Sequence, residues 1–345
     1  MADSLERSRE NDRYRDLATE MTVLNTVVVT SVGALAILSQ LMTMGSLIAA
    51  NILGGKMVAP LVQLVGQWRA WGQFLAAKKR LGDLLDTPLD RTETDVRMPR
   101  PVGALVMENI SFSYPGSKHA QILELSGQLG AGGLHAIVGP NGSGKSTLLK
   151  LLRGLYVPAQ GRVLIDGADM AQFAHKDLAR WVGYLPQQVQ LLSGTVRENI
   201  AISDQDADDA QIIRAAKLAC AHEFLIDLPD GYGSPVGDGG GRFSGGQRKR
   251  IAIAQVLLHD PVVLLLDEPT ADLDPAAEQS FVATLKEMAK DHTIVVVTHS
   301  PYLLRQCQGI LVMDKGKLVM AGPAAKVLPK LGLAAPAAQE VSHAV

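Results

Sequence analysis

The segment GPNGSGKST, residues 139–147, constrains the fold more than any other part of the sequence. It matches the pattern GxxxxGK[ST] and lies between an apolar run, HAIVG, and a helix-like segment, KSTLLKLLRGL. In that setting glycines let backbone N–H groups surround a phosphate, and the helix N-terminus adds positive potential. The sequence therefore predicts a strand, a phosphate-binding loop and a helix. The predicted binding residues are Gly139, Pro140, Asn141, Gly142, Ser143, Gly144, Lys145, Ser146 and Thr147.

Within this loop two side chains have distinct predicted tasks. Lys145 can reach the β- and γ-phosphates of a nucleotide, and the Ser146 hydroxyl can bind Mg²⁺. Both tasks require the loop to connect a strand to a helix, which the flanking sequence favours.

Around the loop, short apolar runs alternate with helical patterns over residues 105–333. Such alternation predicts a mostly parallel α/β sheet. The predicted strands are LVMENISF, LHAIVG, RVLIDG, WVGYLP, VVLLLD, TIVVVT, GILVMD and KLVMAG.

Three of these runs end in candidate catalytic side chains. VVLLLD ends at Asp267, placed to hold Mg²⁺ through water, and Glu268 follows as a candidate general base for an attacking water. TIVVVT brings His299 to the same edge of the sheet, where parallel sheets bind ligands, and so near the γ-phosphate. WVGYLP leads to Gln187, whose amide could contact Mg²⁺ and water.

A second glycine-rich stretch, GGGRFSGGQRKR, occupies residues 239–250 and precedes another helical pattern. Ser244 offers a hydroxyl and Gly246 a backbone N–H at the start of that helix, both suited to an anion. One domain thus carries two candidate anion sites.

Composition narrows the classes of function. A formal net charge of −2 argues against nucleic-acid binding, which normally requires a basic excess. Cys220 and Cys307 lie far apart without a CxxC pattern. We therefore expect buried thiols in a reducing compartment rather than a metal or redox site.

The N-terminal part differs sharply from the rest, because Lys56 is the only charged residue between residues 21 and 68. Two membrane spans of about 20 residues fit there, at about 21–41 and 46–68. Arginine and lysine on both outer flanks predict that both ends face the cytoplasm. A buried helical hairpin of a soluble protein is the alternative.

Taken together, residues 105–333 resemble the nucleotide-binding domain of ATP-binding-cassette (ABC) transporters. The resemblance implies an α/β P-loop NTPase with a RecA-like core, an antiparallel β subdomain and a helical signature subdomain, here preceded by an all-α transmembrane hairpin. It also assigns the family's motifs. They are Tyr114 (A-loop), residues 139–147 (Walker A), Gln187 (Q-loop), FSGGQ at 243–247 (signature), Asp267 and Glu268 (Walker B), Asp274 (D-loop) and His299 (switch).

The same resemblance implies ATP and Mg²⁺ as ligands, ATP hydrolysis as the reaction, and head-to-tail pairing of two such domains, identical or different. Each ATP would lie between one protomer's phosphate loop and the partner's signature residues. Those residues in this chain are Ser244, Gly245, Gly246 and Gln247. The second anion site would then serve the neighbour's nucleotide.

The N-terminal part resembles the last membrane helix and connector of bacterial type I secretion exporters, in MGSLIAANILGGKMVAPLVQL and RLGDLLDTP. This implies a multi-pass inner-membrane protein with a cytoplasmic ATPase domain, which exports unfolded protein with a periplasmic adaptor and an outer-membrane channel. The predicted organisation is a charged cytosolic segment (1–20), a partial transmembrane domain (21–85), a linker (86–104), the ATP-binding domain (105–333) and a flexible tail (334–345).

The chain also departs from that family pattern. Its exporters carry six membrane helices per half, whereas about two are predicted here, so the chain would be part of a split or truncated half-transporter or would receive helices from another polypeptide. Phe243 replaces the usual leucine before SGGQ, and Asp238 stands where exporters often have glutamate. Three alternatives stay open: an ATP-binding remnant or regulatory subunit, an exporter of lipid, peptide or drug, and, least favoured, a soluble nucleic-acid-associated ABC ATPase.

Overall fold

The computed structural model describes residue 20 and residues 23–86, 98–117 and 119–333. The chain divides into two compact units, Met1–Leu89 and Asp90–Val345. The charged segment 1–19, most of the predicted linker (87–97) and the predicted tail (334–345) lie outside the described residues.

The first unit is helical. Helix α1 is described over residues 23–38, and helix α2 spans Met44–Leu85. A capping box between Thr43 and Ser46 starts α2, because each side chain bonds the other's backbone N–H. The two helices pack closely where a Cβ at Gly33 would collide with the Leu47 side chain.

This helical pair matches the predicted hairpin in place but not in every property. Helix α2 continues to Leu85 instead of ending near residue 68, since the Ala-, Leu- and Lys-rich segment beyond that point favours helix. None of the described helices combines the length and the hydropathy that a membrane span requires. Polar residues such as Asn51, which donates to Thr30 at 3.1 Å, lower the hydropathy of the pair. The predicted transmembrane spans are therefore not confirmed.

The second unit contains two sheets. The strands are β1 Leu105–Phe112, β2 Ile122–Leu129, β3 Gly133–Val138, β4 Gln160–Ile165, β5 Ala168–Asp169, β6 Val182–Leu185, β7 Val263–Asp267, β8 Thr293–Val297, β9 Gly309–Asp314 and β10 Lys317–Pro323. The six-stranded sheet has the order β10-β9-β3-β8-β7-β6 and is parallel except for the β9–β10 pair. The four-stranded sheet is antiparallel and has the order β2-β1-β4-β5.

Helices cover the six-stranded sheet and build a separate helical region between β6 and β7. They are α3 Lys145–Leu152, α4 His175–Trp181, α5 Val196–Ile200, α6 Asp209–Leu218, α7 His222–Ile226, α8 Gly245–Leu257, α9 Pro275–Met288, α10 Pro301–Gln306 and α11 Ala324–Val327. Short 3₁₀ turns complete the connections at Met170–Gln172, Gly231–Gly233, Asp238–Gly240 and Leu328–Leu331.

The six-stranded sheet separates two hydrophobic cores. On β7, Val263 and Leu265 face the core shared with α3 and the antiparallel sheet, whereas Leu264 and Leu266 face the core shared with α8 and α9. Strands β3 and β8 alternate in the same way. A parallel strand buried on both faces reads as a continuous apolar run, which explains VLLLD and TIVVV.

All eight predicted strands are present, and the structure adds two. Strand β2 (ILELSGQL) was missed because serine, glycine and glutamine interrupt its apolar pattern, and β5 has only two residues. The sheet of β1, β2, β4 and β5 is antiparallel and separate from the parallel sheet, as the resemblance implied.

The described end of the predicted linker is fixed to the second unit. The Asp166 carboxylate accepts hydrogen bonds from the backbone N–H groups of Val102, Gly103 and Ala104. The Thr293 hydroxyl, at the start of β8, donates to the Gly103 carbonyl at 2.8 Å. Residues 102–104 are thus ordered by specific contacts rather than loose.

The two cysteines should differ in reactivity. Burial raises the pKa of the Cys307 thiol to about 12, and because only the thiolate is nucleophilic, about one thiol in 10⁴ would be ionised at pH 8. Cys220 is partly exposed. We expect a disulfide reagent at pH 8 to modify the Cys220 thiol of the native protein quickly, and the Cys307 thiol only after denaturation. Rapid reaction of both native thiols would contradict the burial of Cys307.

Candidate functional site

The phosphate-binding loop connects β3 to α3 through three glycines with positive φ: Gly139 (154°), Gly142 (78°) and Gly144 (99°). A Cβ at Gly139 would collide with the Met313 carbonyl, and one at Gly144 would lie 2.8 Å from the Gln121 carbonyl oxygen. Gly139 and Gly144 are therefore required for two reasons: their backbone conformation favours glycine, and a side chain at either position would overlap a neighbouring atom. The loop is held against β9 and against the segment that precedes β2.

Lys145 lies inside this loop and is only 8% exposed. Its Nζ donates to the Gly139 carbonyl at 2.8 Å and to the Pro140 carbonyl at 3.0 Å. The cation is thus enclosed by its own loop, where the same N–H groups can donate to phosphate oxygens.

Asp267 ends β7 beside the first turn of α3. Burial raises the pKa of its carboxyl, while a hydrogen bond with Ser146 and the charge of Lys145 act against that rise. A hydroxyl and a carboxylate in contact are ligands that Mg²⁺ accepts together with phosphate oxygens. Ser146 and Asp267 therefore fit the predicted magnesium site.

Glu268 follows with an unusual backbone. Its φ is +52°, uncommon for a residue with a side chain, and its N–H donates to the Val297 carbonyl at 2.9 Å. Burial raises the pKa of its carboxyl, and His299 opposes the rise. The His299 Nε2 lies 3.5 Å from the Glu268 Oε1. A carboxylate of raised pKa beside an imidazole is suited to proton transfer.

One cavity of about 360 Å³ joins these groups at the carboxyl edge of the sheet. It lies where β3, β6, β7 and β8 end, the edge at which such sheets bind ligands. Its lining unites residues predicted from separate motifs with two that were not predicted, Gln121 and Val297. The predicted ones are Asn141, Gly142, Gly144, Lys145, Ser146, Thr147, Gln187, Asp267, Glu268 and His299.

Gln121 and Val297 could not be found from sequence. Gln121 precedes β2, the strand that the apolar pattern did not reveal, and reaches the cavity through the tertiary fold. Val297 is the apolar end of β8 and carries no chemical signal of its own.

Tyr114, the predicted A-loop residue, adjoins the phosphate-binding loop. Its hydroxyl and the Thr147 Oγ1 are 3.1 Å apart. Its ring packs edge-to-face on Phe112 and Tyr156, with ring centroids 5.0 and 5.4 Å away. The Lys150 ammonium lies 5.7 Å from the ring centroid of Tyr114.

The signature residues lie elsewhere, since none of residues 244–247 lines the described cavity. Ser244 is the N-cap of α8 and forms a capping box with Gln247: its hydroxyl accepts from the Gln247 N–H, and the Gln247 Oε1 accepts from the Ser244 N–H. A Cβ at Gly246 would lie 2.6 Å from the Asp272 carbonyl oxygen. Asp274, the predicted D-loop residue, caps α9 by accepting from the Ala277 N–H at 2.8 Å.

Phe243 and Asp238, the two residues that depart from the family pattern, both make contacts with neighbouring side chains. Phe243 is buried and packs edge-to-face against Phe224, whose ring also lies 4.7 Å from the Arg250 guanidinium. Asp238 accepts a hydrogen bond from the Ser193 hydroxyl at 3.3 Å. Both side chains therefore have partners within the helical region.

Lys249 is a notable residue that sequence reasoning missed. It is 3% exposed, and its Nζ donates to the Glu268 carbonyl at 2.6 Å. The Asp272 carboxylate lies 3.7 Å from the same Nζ. In the sequence Lys249 belongs to the basic run RKR, which suggests a solvated face, so only the structure reveals its burial.

Comparison with known families accounts for this arrangement. Residues 122–271 match the family described as ABC transporter. The chain carries an ABC transporter ATP-binding domain. Residues 241–305 also match a family described as AAA domain, putative AbiEii toxin, type IV TA system.

Curated relatives extend the similarity beyond this domain. The toxin RTX-I translocation ATP-binding protein of Actinobacillus pleuropneumoniae is 36% identical over 296 residues, which cover 86% of this chain and 42% of that protein. The leukotoxin export ATP-binding protein LtxB of Aggregatibacter actinomycetemcomitans is 37% identical over 290 residues, covering 84% and 41%. The chain thus spans about two fifths of the length of these relatives.

A solved structure, that of a bacterial Atm1-family ABC exporter with ATP bound, matches 96% of this chain and 59% of that chain. The TM-score is 0.72 at 31% sequence identity. The predicted ABC-type P-loop fold is confirmed, and so are ATP and Mg²⁺ as the ligands that domains of this family use.

The loop geometry predicts a difference between two glycines. Gly142 and Gly144 both have positive φ, but a Cβ would meet the Gln121 carbonyl oxygen at Gly144 and nothing within 4 Å at Gly142. We expect Gly144→Ala to lower the free energy of unfolding by about 1–3 kcal/mol more than Gly142→Ala does, because only the added Cβ at position 144 overlaps a neighbouring atom. Denaturant unfolding without nucleotide measures this. Equal losses would show that the close approach at Gly144 is relieved at no cost.

Proposed function

We propose that the chain is the ATP-hydrolysing part of an inner-membrane ABC exporter that powers type I secretion of unfolded protein. The observation that carries the proposal is the single cavity in which the phosphate loop, Asp267, Glu268 and His299 converge. The relatives named for toxin and leukotoxin export support the direction and the class of cargo.

The contacts in the cavity support a role for each side chain. The loop and Lys145 would hold the phosphates, and Ser146, Gln187 and water-bridged Asp267 would hold Mg²⁺, which when bound neutralises phosphate charge. Glu268 would accept the proton of the attacking water, because burial raises the basicity of its carboxylate. His299 would orient that carboxylate and contact the γ-phosphate. Tyr114 would stack on adenine.

A second copy of the domain completes the proposed site. The signature residues lie outside the cavity of their own chain, at the N-terminus of α8, where Ser244 is exposed and backbone N–H groups favour an anion. We propose head-to-tail pairing, with an identical or a related subunit, that places Ser244 and Gly246 of one copy against the ATP of the other.

The first unit supports the proposed membrane attachment through its surface. Large apolar side chains of α1 and α2 are exposed, among them Leu38 (80%), Met57 (74%) and Trp68 (80%). Many large exposed apolar side chains on one pair of helices indicate burial against lipid or partner helices. We propose that this unit joins further membrane helices of an exporter, which works with a periplasmic adaptor and an outer-membrane channel, while the ATPase unit is cytoplasmic.

Replacing Glu268 by glutamine tests the catalytic assignment. The amide preserves shape but cannot accept the proton, so we expect turnover to fall by roughly tenfold or more while ATP binding stays intact. Steady-state phosphate release and equilibrium binding of a fluorescent ATP analogue measure the two effects. Glu287→Gln, which alters an exposed carboxylate paired with Lys290, is the matched control and should behave as wild type. Unchanged turnover in Glu268→Gln would remove Glu268 from the catalytic role.

Replacing Ser244 by arginine tests the shared site. The added side chain would obstruct the partner's γ-phosphate, so hydrolysis should stop while the monomer still binds nucleotide. Because Ser244 also caps α8, a loss of about 1 kcal/mol in stability is expected and is measured separately. Ser280→Arg, on α9, controls for the added charge. Normal hydrolysis by Ser244→Arg would refute the head-to-tail site, as would wild-type turnover per molecule that stays constant on dilution.

A further inference from the structure

The signature helix and the candidate general base of the same chain are connected by a buried contact. Helix α8 begins at the signature residues and carries Lys249 just over one turn further on. Lys249 is almost fully buried, and its ammonium donates to the Glu268 carbonyl oxygen at 2.6 Å. Burying an ammonium is costly unless it is hydrogen-bonded and paired, so its placement demands a compensating contact. The hydrogen bond to the Glu268 carbonyl is the shorter of its two polar contacts; the other is with the Asp272 carboxylate, 3.7 Å away.

Glu268 needs such a contact because its backbone is strained. A φ of +52° costs a residue with a side chain of order 1–3 kcal/mol, and such conformations persist only where surrounding contacts hold them. Three hydrogen bonds hold this one: the N–H donates to the Val297 carbonyl on β8, and the carbonyl accepts from the Lys249 ammonium at 2.6 Å and from the Ala271 N–H at 3.3 Å. The direction of the Glu268 side chain follows from the backbone that these contacts fix.

A second link joins the same two segments. Gly246 approaches the Asp272 backbone so closely that a Cβ would lie 2.6 Å from its carbonyl oxygen, and the Asp272 carboxylate lies 3.7 Å from the Lys249 Nζ. The start of α8 and residues 268–272 therefore pack directly against each other. A displacement of the signature residues would be transmitted to Glu268 through these contacts.

We propose that Lys249 is a positioning residue for ATP hydrolysis, which holds the backbone of Glu268 and links it to the signature residues of the same chain. The inference rests on the proposed function, in which Glu268 is the general base. It assigns a task to a residue that does not line the cavity. In a head-to-tail pair, Lys249 would connect the nucleotide held by the signature residues to the base at the other nucleotide.

Lys249→Met tests the proposal in the full-length chain, since methionine keeps an unbranched apolar stem without charge or donor. We expect kcat for ATP hydrolysis to fall by about tenfold, because a misdirected base is costly, with KM and the affinity for a fluorescent ATP analogue unchanged. Lys290→Met, which removes an exposed lysine, is the matched control and should leave kcat unchanged. A loss confined to ATP affinity would overturn the proposal.

A double-mutant cycle separates positioning from a general structural role. If Lys249 acts through the Glu268 carboxylate, Lys249→Met should lower the single-turnover rate of the Glu268→Gln variant little or not at all. An equal loss in both backgrounds would overturn the proposal. Should Lys249→Met fail to fold, Lys249→Gln, which keeps an N–H donor, is taken through the same cycle with a smaller expected loss.

The outcomes also distinguish the two proposals. A wild-type chain that binds ATP without hydrolysing it would refute the proposed function and the inference with it. A wild-type chain that hydrolyses ATP, with a Lys249→Met variant equal to it in kcat, would refute only the positioning role of Lys249.

Discussion

The burial of the central strands on both faces decides where chemistry can occur in this protein. Strands β7 and β8 are buried along their whole length, so a charged side chain within them would be desolvated without partners. Charged groups can therefore appear only where a strand leaves the sheet. Asp267, Glu268 and His299 stand at those ends, and the parallel direction of the strands brings the ends to one edge.

That edge acquires its electrostatic character from α3. The loop before this helix directs Lys145 and the first N–H groups of the helix toward the cavity that Asp267 and Glu268 line. Cation and carboxylates depend on one another, because Lys145 acts against the rise that burial causes in the pKa of both carboxyls. The arrangement suits a bound polyanion with a divalent cation. The polyanion would pair with Lys145 and the cation with the carboxylates, so that each buried charge keeps a partner of opposite sign.

The sequence predicted this edge well because its signals are local. A phosphate loop is contiguous, and β7 and β8 identify themselves by uninterrupted apolar residues. Features that depend on tertiary packing could not be predicted from the sequence. Strand β2 alternates irregularly because its pairing with β1 shifts register twice. Lys249 resembles a solvated lysine until α8 is placed on the segment after β7. For the apolar N-terminal helices, a low count of charges indicated membrane spans, and polar uncharged residues keep the hydropathy of the described helices below what a span requires.

The signature segment is already ordered within one chain. Ser244 and Gln247 satisfy each other's backbone groups, and Gly246 is fixed against Asp272. A partner's nucleotide would thus meet a preformed helix N-terminus and would not have to order a loop, which lowers the entropic cost of association. The same rigidity has a second consequence. If the signature segment moves as a unit when it binds the partner's nucleotide, the neighbouring residues move with it. Its buried contact with the segment after β7 is the hydrogen bond from Lys249 to the Glu268 carbonyl.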